Sequence, residues 1–120
     1  MSFPQAQDIA ITTATGGGAT VYSSVVRGRI AAVKYTKATG SPLASSTDIT
    51  VTLEDSGQAV QTFTNINATA VRYPVAAANL PSGAASTVSE APIFAVNERV
   101  KAVVASGGNT KVGTLTVVVA

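Results

Sequence analysis

Cysteine, histidine and tryptophan are all missing from the 120 residues of this chain. Without cysteine there is neither a disulfide framework nor a thiolate metal site, so stability has to come from burial and backbone pairing. Without histidine as well, no Ser-His-Asp or Cys-His arrangement can be built, and imidazole metal sites are excluded. Charge is also scarce: Asp, Glu, Lys and Arg make up 12% of the chain against a usual figure of about 25%. Solvated faces must therefore be built from Thr, Ser and small apolar residues, which suits a surface covered by neighbours in an assembly better than that of a free monomer. A stable β domain of the secreted type is the plainer alternative.

Apolar runs fall well short of the roughly 20 residues that a membrane-spanning helix needs, and Met1-Ser2-Phe3-Pro4 lacks the basic and apolar regions of a signal peptide. A soluble protein made in the cytoplasm is expected, with no membrane partner. The net charge of +2 is too small, and its cations too dispersed, for an electrostatic nucleic-acid track.

The six carboxylates are Asp8, Asp48, Glu54, Asp55, Glu90 and Glu98. Glu54 and Asp55 fall at a strand-to-turn junction, where acidic residues are ordinary turn formers rather than a glycosidase pair. Asp48 and Asp55 flank one strand without EF-hand spacing. The stretch TGGGAT at residues 15–20 is glycine-rich but lacks the spacing and following helix of a phosphate-binding loop, and reads as a hinge. No enzyme, no cofactor and no metal site are expected.

Period-two alternation recurs along the chain and helical periodicity barely appears. Ile49, Val51 and Leu53 face one way and Thr50, Thr52 and Glu54 the other, a strand with one wet side. Asp55-Ser56-Gly57 turns it into a second run at residues 58–65, giving a hairpin. Residues 68–75 continue as a strand that Pro74 ends or places at an edge. Residues 26–37 read as one long strand, bulged near Gly28, and residues 38–47 as an exposed loop. Residues 98–119 read as a closing hairpin around Ser106-Gly107-Gly108-Asn109, with Val100, Ala102 and Val104 on the apolar face of one strand and Leu115, Val117 and Val119 on that of the other. Residues 76–96 hold two prolines and many alanines and are expected to form a compact loop. A loop of about twenty residues in a small domain usually has a binding or assembly task.

Six or seven strands without a helix predict an all-β fold: an antiparallel β-sandwich or partly closed β-barrel, with an extended N-terminal arm and one long loop. Residues 1–24 are assigned to the arm and residues 25–120 to a single sandwich domain.

Three stretches carry a family likeness: VVRGRIAAVKYTK at residues 25–37, NINATAVRYPV at 65–75 and NERVKAVVASGGNTKVGTLTVVV at 97–119. They resemble small β-rich virion structural proteins of tailed bacteriophages. The resemblance implies a capsid decoration or cement protein on the outer shell of the virion, made in the host cytoplasm, with the major capsid protein as partner and a homo-oligomer, a trimer, as the assembling unit. Under that reading residues 2–18 add a strand to a neighbouring subunit, and residues 76–96 meet the capsid or the symmetry axis. Arg27, Arg29, Arg99 and Lys101 are the expected polar interface residues, and Phe3 and Phe94 the apolar anchors. Two alternatives are a head-tail connector or tail component, which would form rings, and a carbohydrate-binding or adhesin-like sandwich. The latter would gather aromatic residues on one face, whereas Tyr22, Tyr35 and Tyr73 are scattered.

Overall fold

The computed structural model describes residues 5–120, and all of its regular structure is antiparallel β. Nine strands occur among the described residues: β1 (Gln5–Thr12), β2 (Ala19–Lys37), β3 (Asp48–Leu53), β4 (Ala59–Phe63), β5 (Ala70–Arg72), β6 (Val75–Asn79), β7 (Ala85–Pro92), β8 (Phe94–Ala105) and β9 (Val112–Val119). No helix among the described residues is long and apolar enough to cross a membrane.

The expected sandwich is present, and β2 belongs to both of its layers. Residues 19–29 pair with β8, which continues to β3 and β4, whereas residues 30–37 pair with β9 on one side and β5 on the other. Gly28 is the point of transfer, with φ +118. Just beyond it the Arg29 N–H donates to the Ala120 carbonyl (3.1 Å) and the Ile30 N–H to that of Ile93 (2.8 Å), so the strand leaves β8 and joins the β9 side. A second irregularity in β2 lies between Tyr22 and Val25. There the buried Ser23 hydroxyl accepts from the Val100 N–H (2.9 Å) and replaces a missing ladder bond.

The core follows the alternation. Ile49, Val51 and Leu53 from β3, Val100, Ala102 and Val104 from β8, and Leu115, Val117 and Val119 from β9 are all buried in one cluster with Ile30, Val33 and Tyr35 from β2. Apolar side chains on the inner faces of two one-sided sheets have no other place to go.

Three expectations about partners and loops need correction. The residues expected to form a hairpin at 98–119 are not paired with each other: β8 lies in one layer between β2 and β3, and β9 in the other between β1 and β2. The glycines between them allow backbone contact across the molecule. The Gly107 N–H donates to the Gly17 carbonyl (2.8 Å), and a Cβ at Gly107 would lie 2.8 Å from the Thr13 methyl. The second correction concerns the N-terminal arm. Residues 5–12 pair inside the same chain, in register with β9 from Gln5 opposite Val119 to Thr12 opposite Val112, and Ile9 and Ile11 enter the core. Residues 19–24, also assigned to the arm, are the first part of β2. Third, residues 76–96 are a hairpin of β6 and β7 leading into β8, not a loop. Leu80-Pro81-Ser82-Gly83 is its turn, closed by the Gly83 N–H on the Leu80 carbonyl (2.8 Å), and Pro followed by Gly at this spacing is turn chemistry.

Tyr35 is fully buried, and its hydroxyl is the one buried side-chain polar atom without a hydrogen-bond partner among the described residues. Replacing it removes a desolvated group that gains nothing in return, so Tyr35→Phe is expected to raise stability by up to about 1 kcal/mol in urea unfolding. Burial also raises the phenol pKa above its ordinary 10.0. A raised pKa means stability that is intact below the unfolded value and lost as pH rises through the folded one. Wild type is therefore expected to weaken in alkaline solution above that ordinary value, and Tyr35→Phe to weaken less, as urea curves on either side of it would read.

Candidate functional site

The β6–β7 hairpin stands off the sandwich and carries little of the core. Among the described residues, seven of the ten exposed large hydrophobic residues lie in the stretch from Val71 to Val96: Val71, Tyr73, Val75, Leu80, Val88, Phe94 and Val96. Three of these are almost fully open to solvent, Val88 at 90%, Val96 at 79% and Tyr73 at 76%. Exposed apolar residues scattered singly are ordinary, whereas a concentration of them in one stretch is the kind of surface that a binding partner would cover.

Two cavities flank the hairpin. The larger, about 630 Å³, lies between β6, the β7–β8 junction and the β3–β4 turn, and its walls include Ala77, Asn79, Ile93, Phe94, Asp55 and Glu98. The smaller, about 330 Å³, is walled by Arg29, Tyr73, Pro74, Val75 and Glu90 among others. Pro92 borders both.

Glu98 organises the rim of the larger cavity. Its Oε1 accepts from the N–H groups of Asp55 (2.9 Å) and Ser56 (2.9 Å) and from the Ser56 hydroxyl (3.2 Å), so one carboxylate oxygen caps the β3–β4 turn. The residue is only 8% exposed and forms no ion pair among the described residues. Sequence reasoning counted Glu98 only as one of six carboxylates. The signal that it points inward is its phase, since it stands two residues before the buried Val100.

The six expected interface residues separate into distinct places. Phe3 lies outside the described residues. Arg27 donates from Nε to the Asn97 Oδ1 (3.0 Å) on the exposed side of the β2–β8 pair. Arg29 and Phe94 are register partners on opposite sides of the hairpin base, Arg29 at the smaller cavity and Phe94 at the larger.

Arg99 and Lys101 share the outer face of β8. Arg99 is paired with Glu54, its Nε donating to Oε1 (2.9 Å), and its guanidinium lies 4.2 Å from the centre of the Tyr22 ring. Lys101 stands between Tyr22 and Thr52 in register. The structure thus brings Arg29 and Phe94 to the hairpin and leaves Arg27, Arg99 and Lys101 on the sheet face.

The hydrogen bond from Arg99 holds the Glu54 carboxyl below its ordinary pKa. A lowered pKa gives stability that is present above the unfolded value and lost as pH falls through the folded one. Both side chains are substantially exposed, and pairs of that kind contribute little. Glu54→Gln is expected to leave the urea midpoint nearly unchanged at neutral pH and to remove the small loss that follows as pH falls below the ordinary carboxylate range, checked by urea curves in neutral and acidic solution.

No group of three or more potential metal-ligating residues occurs among the described residues. What the arrangement offers is a two-layered sandwich, a hairpin standing off it with Val75, Leu80 and Val88 exposed, and a groove at its base bordered by Asp55 and Glu98.

No protein-family model matches the chain. No curated protein matches it either. Among solved structures, a crystal structure of FLHE is similar over 98% of this chain and 96% of that chain, at 14% identity and a TM-score of 0.47.

Proposed function

We propose that the chain is a non-catalytic structural protein of a tailed-bacteriophage virion, a decoration or cement protein that docks on the outer capsid surface and stabilises the shell. The observation that carries this reading is the exposed apolar set on and beside the β6–β7 hairpin: Val75, Leu80 and Val88 on the hairpin, and Tyr73, Phe94 and Val96 in the segments flanking it, all anchored to the sandwich. A cementing protein needs such a surface, because docking loses least entropy when the contacting element is already ordered. The resemblance of residues 25–119 to small virion proteins supplies the kind of particle. The major capsid protein is the proposed partner and a homotrimer at local threefold positions the proposed unit.

The test uses shells stripped of this protein. Leu80 and Val88 are exposed and outside the core, so the double variant Leu80→Asp with Val88→Asp should fold with an unchanged melting temperature. Its occupancy on stripped shells, read by co-sedimentation, is expected to fall at least about tenfold, as for loss of apolar contacts from the centre of an interface. Equal occupancy of wild type and variant would overturn the assignment of the hairpin as the docking element, and absence of wild-type binding would overturn the virion role.

A further inference from the structure

We infer that the groove between β6 and the β3–β4 turn receives an extended segment of the partner protein that inserts one lysine or arginine side chain beside Glu98. This rests on the reading that the hairpin is the docking face and specifies what that face recognises. Three observations converge on it.

The first is charge. The chain has more cations than anions, 8 Lys and Arg against 6 Asp and Glu. Yet the residues around this cavity include Asp55 and Glu98 and no lysine or arginine. A groove of that sign in a chain of the opposite net sign attracts a basic group from outside.

The second is the state of Glu98. All three of its hydrogen bonds end on Oε1, and Oε2 has no donor among the described residues. A carboxylate in a residue 8% exposed, forming part of a cavity wall and lacking a partner on one oxygen, is an acceptor held ready for a charge-assisted bond. Oε1 fixes the carboxylate against the turn, so a second donor would meet it without further ordering.

The third is the strand beside it. Ala76, Ala77, Ala78 and Asn79 all border the cavity. Consecutive residues of a strand point to alternate faces, so four in a row can border one space only where the strand presents its edge. Among the described residues β6 pairs with β7 alone, which leaves its other edge free for an added strand. Apolar walls at Ile93 and Phe94 suit the aliphatic stem of a lysine or arginine, whose charged end then reaches Glu98.

The probe is an acetylated, amidated pentapeptide, Ala-Val-Lys-Val-Ala, titrated into the full chain and followed by amide NMR. Shifts are expected at Ser56, Ala77, Asn79 and Phe94, with slower exchange of β6 amides. Replacing the lysine by norleucine, or offering butylammonium in place of the peptide, should each weaken the response at least about tenfold. Glu98→Gln keeps an oxygen for the turn and removes the charge; with its melting temperature checked, it should weaken peptide binding at least about tenfold. Asp55→Asn, at an exposed position, should weaken it by a smaller factor, and Asp8→Asn on β1 not at all.

Equal binding of the lysine and norleucine peptides, or equal binding by wild type and Glu98→Gln, would overturn the inference, as would silence of the wild-type groove. Concentration-dependent shifts at the same residues without peptide, lost in Glu98→Gln, would assign the groove to a second copy of this chain and overturn the choice of partner. Because the assay contains no shells, its failure leaves the shell-binding result standing and separate.

Discussion

Gly28→Val is expected to lower folding stability by about 3–5 kcal/mol. The φ of +118 at this position is strained for any residue with a Cβ and worst for a β-branched one. A Cβ here would also lie 2.8 Å from the Ala120 carbonyl oxygen and 3.3 Å from a Val119 methyl. Neither neighbour can move freely, because the Ala120 carbonyl accepts from the Arg29 N–H and the Ala120 N–H donates to the Arg29 carbonyl (2.9 Å). Relief therefore requires β2 to shift against β9, at the place where it passes from one layer to the other. Urea unfolding should show a lower midpoint with an unchanged slope. Gly40→Ala is the control, since nothing lies within 4 Å of its Cβ position. A loss below about 1 kcal/mol for Gly28→Val would mean that β2 changes layers without a conformation reserved to glycine.

The second large effect is expected at Glu98. Glu98→Leu removes the acceptor for two backbone N–H groups and a hydroxyl in the β3–β4 turn and should destabilise the protein by about 2–4 kcal/mol. Water can reach Asp55 and Ser56, which are exposed, and this keeps the loss below that of wholly buried groups. Glu98→Gln retains an acceptor oxygen and should cost less than about 1 kcal/mol. Amide exchange at Asp55 and Ser56 should quicken in the leucine variant and stay slow in the glutamine one. If both variants lose the same stability, the negative charge, rather than the acceptor geometry, holds the turn.

The all-β sandwich and its inward residues were legible because alternation is local: Ile49, Val51 and Leu53, or Leu115, Val117 and Val119, reveal their face without reference to any neighbour. Partners are another matter. Val100 to Val104 and Leu115 to Val119 show the same alternation whether the two strands pair or cross between layers, and here they cross. The glycines at 107 and 108 suggested a tight turn, whereas the contact of Gly107 with Gly17 joins segments far apart in sequence. Residues 76–96 were misread because alanine contrasts weakly with its neighbours, which left Pro81 and Gly83 looking like breaks in a loop rather than the turn of a hairpin. Ile9 and Ile11 carried the alternation of a core strand, and the glycines after them drew attention to a hinge instead. Arg29 and Phe94, expected as interface residues, border the cavities at the hairpin base. Glu98 was not singled out, although its phase with Val100 puts it inside.

The pairing of β1 with β9 bears on how the protein is made. Gln5 lies opposite Val119, so β1 is made more than a hundred residues before its partner β9 and must wait for it before their ladder can form. Until then Ile9 and Ile11 have only part of their cover, and pairings between strands so distant in sequence are slow to close. β2, β8, β3 and β4 can assemble one layer in the meantime. Formation of the other layer is therefore the late step, and its unpaired edge is where newly made chains are most open to aggregation.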